Sequence, residues 1–158
     1  MSDYGIDVFH VITTLDRGGA ENHLCDLVEG QIARGMTVGG AYLKGDGYWK
    51  QRLEAAGCRV EDVKLSQYGD PGPILRLVRL LRQQKPAVVH AHMPPAELYV
   101  RLALLISGYD APFVISKHND ERFLFQGWGG QALGKWAAKR ANAVIAISNA
   151  IHCYLVKH

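Results

Sequence analysis

The stretch Asp16-Arg17-Gly18-Gly19-Ala20-Glu21 decides how this sequence is read. Ahead of it lies Ile6 to Leu15, an apolar run rich in β-branched residues, which predicts a strand. Behind it Ala20, Leu24, Leu27, Val28 and Ile32 recur at helical spacing on one face. Strand, glycine pair and helix N-terminus, in that order, make a corner suited to anions. Glycine lets the backbone approach a ligand, and the free N–H groups and helix dipole favour negative charge. A phosphate-bearing ligand is therefore expected, with a plain tight turn as the alternative. The pair falls short of a full G-x-G-x-x-G fingerprint, and no Walker A lysine follows, which disfavours P-loop ATP hydrolysis.

Outward from this corner, strand and helix patterns alternate to the end of the sequence. Strands are expected at 5–14, 36–43, 58–65, 86–92, 112–117 and 142–148. Helices are expected at 19–34, 47–56, 72–84, 95–107, 129–140 and 149–157. Gly35 and Gly57 stand where a helix ends in a left-handed residue, and Ser148 stands where a helix is capped. Ala87-Val88-Val89 and Ala143-Val144-Ile145-Ala146-Ile147 have no polar face. Such strands are expected to be buried on both sides, as in a parallel sheet covered by helices. The expectation is a doubly wound, mostly parallel α/β domain. Ligands in such domains bind beyond the carboxyl ends of the strands. Here those places are 16–20, 44–47, 66–73, 92–95, 118–126 and 148–149.

With 158 residues, 48% of them hydrophobic and 21% charged, the chain fits one ordinary globular domain. A net charge of +3 is too small to imply a nucleic-acid partner. Cys25, Cys58 and Cys153 lack C-x-x-C spacing, so half-buried free thiols are expected rather than a disulfide framework or zinc site. No basic leader region opens the sequence, and Glu97 and Arg101 interrupt the most apolar helix, so a cytoplasmic protein is expected.

Several polar residues fall at the expected strand ends. His90 and His92 are two apart on one strand and share a side. A metal pair is less favoured than His90 packed in the core with His92 hydrogen-bonded at the strand end, so no metal is expected. His118 closes the strand Phe113-Val114-Ile115-Ser116-Lys117 and opens the loop Asn119-Asp120-Glu121-Arg122. A histidine there can donate to a sugar hydroxyl or phosphate oxygen, or act as a base, against the alternative of an exposed loop residue. Asp120 and Glu121 are placed to tune it, and Lys117 and Arg122 to pair with anions. Glu21 suits a helix N-terminus for electrostatic reasons alone, and is kept as a candidate for contact with a substrate hydroxyl. Arg76, Arg79, Arg82 and Lys85 read as the solvated face of an α/β helix, with anionic lipid as the alternative. Phe123, Phe125 and Trp128 suggest a flap or covered interface.

Five segments, in order, resemble the N-terminal half of GT-B-fold glycosyltransferases of the group 1 or family 4 type. They are Gly18-Gly19-Ala20-Glu21 with Leu24-Cys25-Asp26-Leu27, Arg34-Gly35-Met36-Thr37-Val38, Lys85 to His92, Val114 to Asp120, and Ala143 to Ile151. The resemblance implies a Rossmann-like domain over residues 1–158, forming the acceptor side of a two-domain enzyme. It implies retaining transfer of a sugar from a nucleotide-diphosphate sugar to an acceptor hydroxyl, with no cofactor or divalent metal. Lipid, polysaccharide and small-molecule acceptors are all compatible with it; a sugar or lipid-linked acceptor of cell-envelope polysaccharide or glycolipid synthesis is expected ahead of a small molecule, with peripheral membrane contact as an option. Gly18 and Gly19 then approach the donor diphosphate and the acceptor, and His118 contacts the donor sugar. His92, Glu21 and Asp120 are further binding candidates. The acidic E-x7-E motif of the donor-binding half is not among these residues, so the domain alone is expected to be inactive. One alternative is a stand-alone flavodoxin-like binding or regulatory module. A dinucleotide-dependent oxidoreductase is a weaker rival, because Leu43-Lys44 stands where an acidic residue is needed.

Overall fold

The structure, a computed structural model, describes residues 5–118 and 128–157. Among the described residues twelve elements alternate as expected: β1 (Ile6–Thr14), α1 (Gly19–Ile32), β2 (Val38–Lys44), α2 (Lys50–Ala55), β3 (Arg59–Asp62), α3 (Gly72–Gln84), β4 (Pro86–His92), α4 (Pro94–Ser107), β5 (Phe113–Lys117), α5 (Trp128–Ala138), β6 (Ala143–Ala146) and α6 (Asn149–Lys157). The strands form one sheet in the order β3-β2-β1-β4-β5-β6. Every pairing is parallel. Helices cover both faces, so the doubly wound expectation holds. The order reverses between β1 and β4, which puts the topological switch point at their carboxyl ends.

Side-chain alternation divides the core. Phe9 and Val11 of β1, Val89 and Ala91 of β4, and Phe113 and Ile115 of β5 pack toward α3 and α4 with Leu77, Leu81, Val100 and Ala103. The intervening residues turn to the other face. There Ile12 joins Leu24, Cys25 and Val28 of α1, and Leu53 of α2. Arg52 binds α2 to α1 through Glu29 at 2.7 Å and Asp26 at 2.7 Å. Gly35 and Gly57 take φ of 82° and 98°, the left-handed conformation their places demand. The Ser148 hydroxyl accepts a bond from Ile151 N–H and caps α6.

Four expectations need correction. β3 ends at Asp62 rather than at residue 65, because Lys64 turns to φ 54° and its N–H bonds the Asp62 carboxylate. Cys25 and Cys58 are fully buried rather than half-buried. Desolvation pushes the Cys25 thiol up to about 11 and that of Cys58 up to about 12, so both stay protonated. Arg76 and Arg82 on α3 are not merely solvated, for Arg76 donates to Val63 O at 2.7 Å and Arg82 to Ser107 O at 3.0 Å. Arg82 thereby meets the negative end of the α4 dipole. Finally, β6 is not buried on both sides. Among the described residues it pairs with β5 alone, and of the described side chains in α5 and α6 only Ala137 and Ile151 are buried. Val144, Ile145 and Ile147 remain exposed.

Candidate functional site

The glycine corner forms at the end of β1. Gly18 caps α1 in an extended conformation, and the first helical bond runs from Asn22 N–H to Gly18 O at 3.1 Å. The N–H groups of Gly19, Ala20 and Glu21 precede that bond and have no partner inside the helix. The two glycines have different reasons to be there. A side chain at Gly18 would strike the Glu21 carboxylate, which folds back over the cap, whereas one at Gly19 would meet nothing within 4 Å. Gly19 is thus the residue that leaves the corner open to a ligand. Glu21 is itself buried and accepts a 2.7 Å bond from the Thr14 hydroxyl, which ties α1 to the end of β1. Asp16 bridges to the next loop, accepting a bond from Asp46 N–H at 2.7 Å.

Beside this corner the sheet carries imidazoles. His10 on β1 lies in register with His90 on β4, and His92 follows two residues on. All three are buried on the α1 face. His92 Nε2 lies 3.0 Å from His10 Nδ1, and His92 Nδ1 lies 3.1 Å from His118 Nε2. His10 Nε2 reaches Gln31 Oε1 of α1 at 2.8 Å, and His90 Nε2 reaches the Ser116 hydroxyl at 2.8 Å. The His118 ring also stands 5.6 Å from that of His23 on α1, which sets it against the helix that the glycine corner opens.

Burial keeps this group neutral. Desolvation pushes His10 down to about 4 and His90 to about 3, neighbouring imidazoles adding to the effect on His90. His92 lies well below the ordinary range for the same reasons. His118 is lowered by burial first and by His23 second. Nitrogen atoms of His10, His90 and His92 lie within 4.8 Å of one another, near enough to share an ion. Those of His10 and His92 are engaged with each other, and His90 is engaged with Ser116.

The sequence-based candidates fare unequally. Gly18, Gly19 and Glu21 follow the end of β1, and His92 and His118 stand at the ends of β4 and β5, so all five lie on the carboxyl side of the middle of the sheet. His118 is a buried residue rather than an exposed loop residue, at 7% exposure. His92 is more enclosed than a strand-end residue should be, at 0%. Lys117 is not offered to an anion, because it donates to Glu97 of α4 at 2.7 Å with both side chains buried. Asp120, Glu121, Arg122, Phe123 and Phe125 lie outside the described residues. His10, His23 and Gln31 escaped the sequence reading. The available signal was a histidine inside an apolar central strand, since a buried polar residue is the informative exception. Met93 escaped as well. It takes φ 70° and ψ 147° at the end of β4, a conformation nearly confined to glycine, and strain of that kind gathers at functional sites.

The class is thereby defined: a doubly wound domain whose switch point holds an open helix N-terminus against a wall of neutral imidazoles. The Glycosyltransferase Family 4 model matches residues 17–158, and the chain belongs to that family. Its architecture is that of the N-terminal domain of a GT-B glycosyltransferase. HepE from Anabaena, solved with UDP-glucose, superposes with a TM-score of 0.74 at 20% identity, over 96% of this chain and 40% of HepE. MurG from Acinetobacter baumannii gives 0.63 at 16% identity, over 89% of this chain and 41% of MurG. A UDP-GlcNAc 2-epimerase from Neisseria meningitidis, bound to UDP-GlcNAc, gives 0.68 at 16% identity, over 96% and 43%. The chain spans about two-fifths of the length of these solved relatives. No curated protein matches it.

Proposed function

We propose that this domain is the acceptor-side half of a retaining glycosyltransferase, moving a sugar from a nucleotide-diphosphate sugar to an acceptor hydroxyl in cell-envelope polysaccharide or glycolipid synthesis. The observation that carries the reading is the placement of His118 against α1, the helix whose open N-terminus is at Gly19. The first-turn N–H groups of α1 attract the diphosphate, with Gly19 leaving room for its approach. His118 hydrogen-bonds the transferred sugar. A second domain supplies the nucleoside pocket and the positive charge that stabilises the leaving diphosphate, so transfer needs both domains and neither a metal nor a cofactor. Asp120, two residues past His118 in the sequence, is a further substrate contact in this scheme. The enzyme works in the cytoplasm and meets a lipid-linked acceptor at the membrane surface. No helix among the described residues is long and apolar enough to cross a bilayer.

Two rival readings are weaker. Epimerisation of a nucleotide sugar draws on the fold likeness alone, whereas the family match favours transfer. A dinucleotide site is disfavoured at the end of β2, where the last residue is Lys44, which donates to the Tyr68 hydroxyl at 2.8 Å, rather than an acid.

In the transferase with its donor-binding domain, His118→Ala should lower kcat by on the order of 10²-fold, with circular dichroism unchanged. Undiminished turnover would remove His118 from the site. Tight NAD binding would overturn the sugar-nucleotide reading, and rapid transfer by residues 1–158 alone would overturn the division of labour.

A further inference from the structure

The imidazole wall is ordered as well as clustered. Gln31 Oε1, His10, His92 and His118 form an unbranched chain in which each histidine uses one nitrogen toward each neighbour. A neutral imidazole has one donor nitrogen and one acceptor nitrogen, so the bond at one end fixes the role of the other. The Gln31 carbonyl oxygen can only accept. His10 therefore donates from Nε2 and accepts at Nδ1. His92 donates to it from Nε2 and accepts at Nδ1, and His118 donates from Nε2. The far end agrees independently. His118 Nδ1 is buried without a hydrogen-bond partner among the described residues. An orphaned N–H in such a place is rarer than an orphaned acceptor. Both ends call for the same polarity.

We propose that Gln31, His10 and His92 are positioning residues that hold His118 in its Nε2–H tautomer, so that its Nδ1 meets a substrate as a hydrogen-bond acceptor and not as a donor. The preferred partner is then a hydroxyl group, rather than a phosphate oxygen, which has no proton to give. That consequence rests on the sugar-transferase reading; the tautomer does not.

The test is nitrogen-15 NMR of the histidine rings in this chain at neutral pH, with no sugar present. The expected result is a protonated, pyrrole-like Nε2 and a bare, pyridine-like Nδ1 on His10, His92 and His118. A proton on His118 Nδ1 would overturn the proposal. Gln31→Met removes the anchoring acceptor and should leave His118 as a mixture of tautomers, whereas Gln31→Glu keeps an acceptor and should restore the single form. An unchanged His118 in Gln31→Met, or a reversed one in Gln31→Glu, would also overturn it. So would stoichiometric uptake of zinc with loss of the ring-to-ring couplings, because the cluster would then be a metal site. The readout contains no transfer reaction, so its failure leaves the transferase assignment standing, and the reverse also holds.

Discussion

β4 and β6 carry the same kind of sequence and have opposite surroundings. Ala87-Val88-Val89 and Ala143-Val144-Ile145-Ala146-Ile147 are both uninterrupted apolar runs. Val89 is 0% exposed, in a strand flanked by β1 and β5. Val144 is 44% exposed, in a strand with a neighbour on one side only. The polar residues add to the contrast, for the imidazoles sit in the interior while the edge is faced by valine and isoleucine. Local composition therefore identifies a strand but does not set its depth. Depth depends on how many other elements reach it, and the middle of the sheet encloses polar groups that satisfy one another.

The largest test of this contrast lies at the inner end of β5. Glu97→Ala leaves Lys117 buried with its carboxylate partner removed, which should cost about 3–5 kcal/mol in urea unfolding. A loss below about 1 kcal/mol would show that the end of β5 behaves like surface. Next comes a matched pair of substitutions on adjacent strands. Ile115→Ala, at a fully buried position, should cost about 2–5 kcal/mol. Ile145→Ala, at an exposed one, should stay within about 0.5 kcal/mol. Equal losses would mean that β6 is covered in solution.

The interior side of the contrast is also open to a titration with acid. Folding depresses the pKa of His10 to about 4 and of His90 to about 3, so between those values and the ordinary one the unfolded chain binds more protons. Their contribution is complete above about pH 6.5 and declines as pH falls, by about 1.4 kcal/mol per unit for each imidazole. Urea midpoints that stay level from about pH 6.5 to 5 would contradict a neutral, enclosed cluster.

Much of this was legible in advance. Strand and helix spacing is imposed by side-chain geometry within each element, so all twelve elements were recoverable from periodicity, with ends displaced by a few residues. The glycine corner was legible because a strand, two glycines and a helix start are contiguous in sequence. The imidazole chain was not, because its members sit at positions 10, 31, 92 and 118 and only strand pairing together with the packing of α1 on the sheet brings them into contact. His92 and His118 were visible as strand-end residues, but not their bond to each other. The tie between Lys117 and Glu97 was hidden for the same reason, since one lies on a strand and the other on the first turn of a helix packed across the sheet.

Periodicity and turn chemistry, properties of neighbours along the chain, were enough to specify a doubly wound α/β domain with a glycine corner after its first strand. Which apolar strand is enclosed, which charge is spent on a partner, and how deeply His118 is buried were settled only when distant segments came together. Burial and hydrogen-bond polarity are relations between segments, and a linear sequence carries no distance between them.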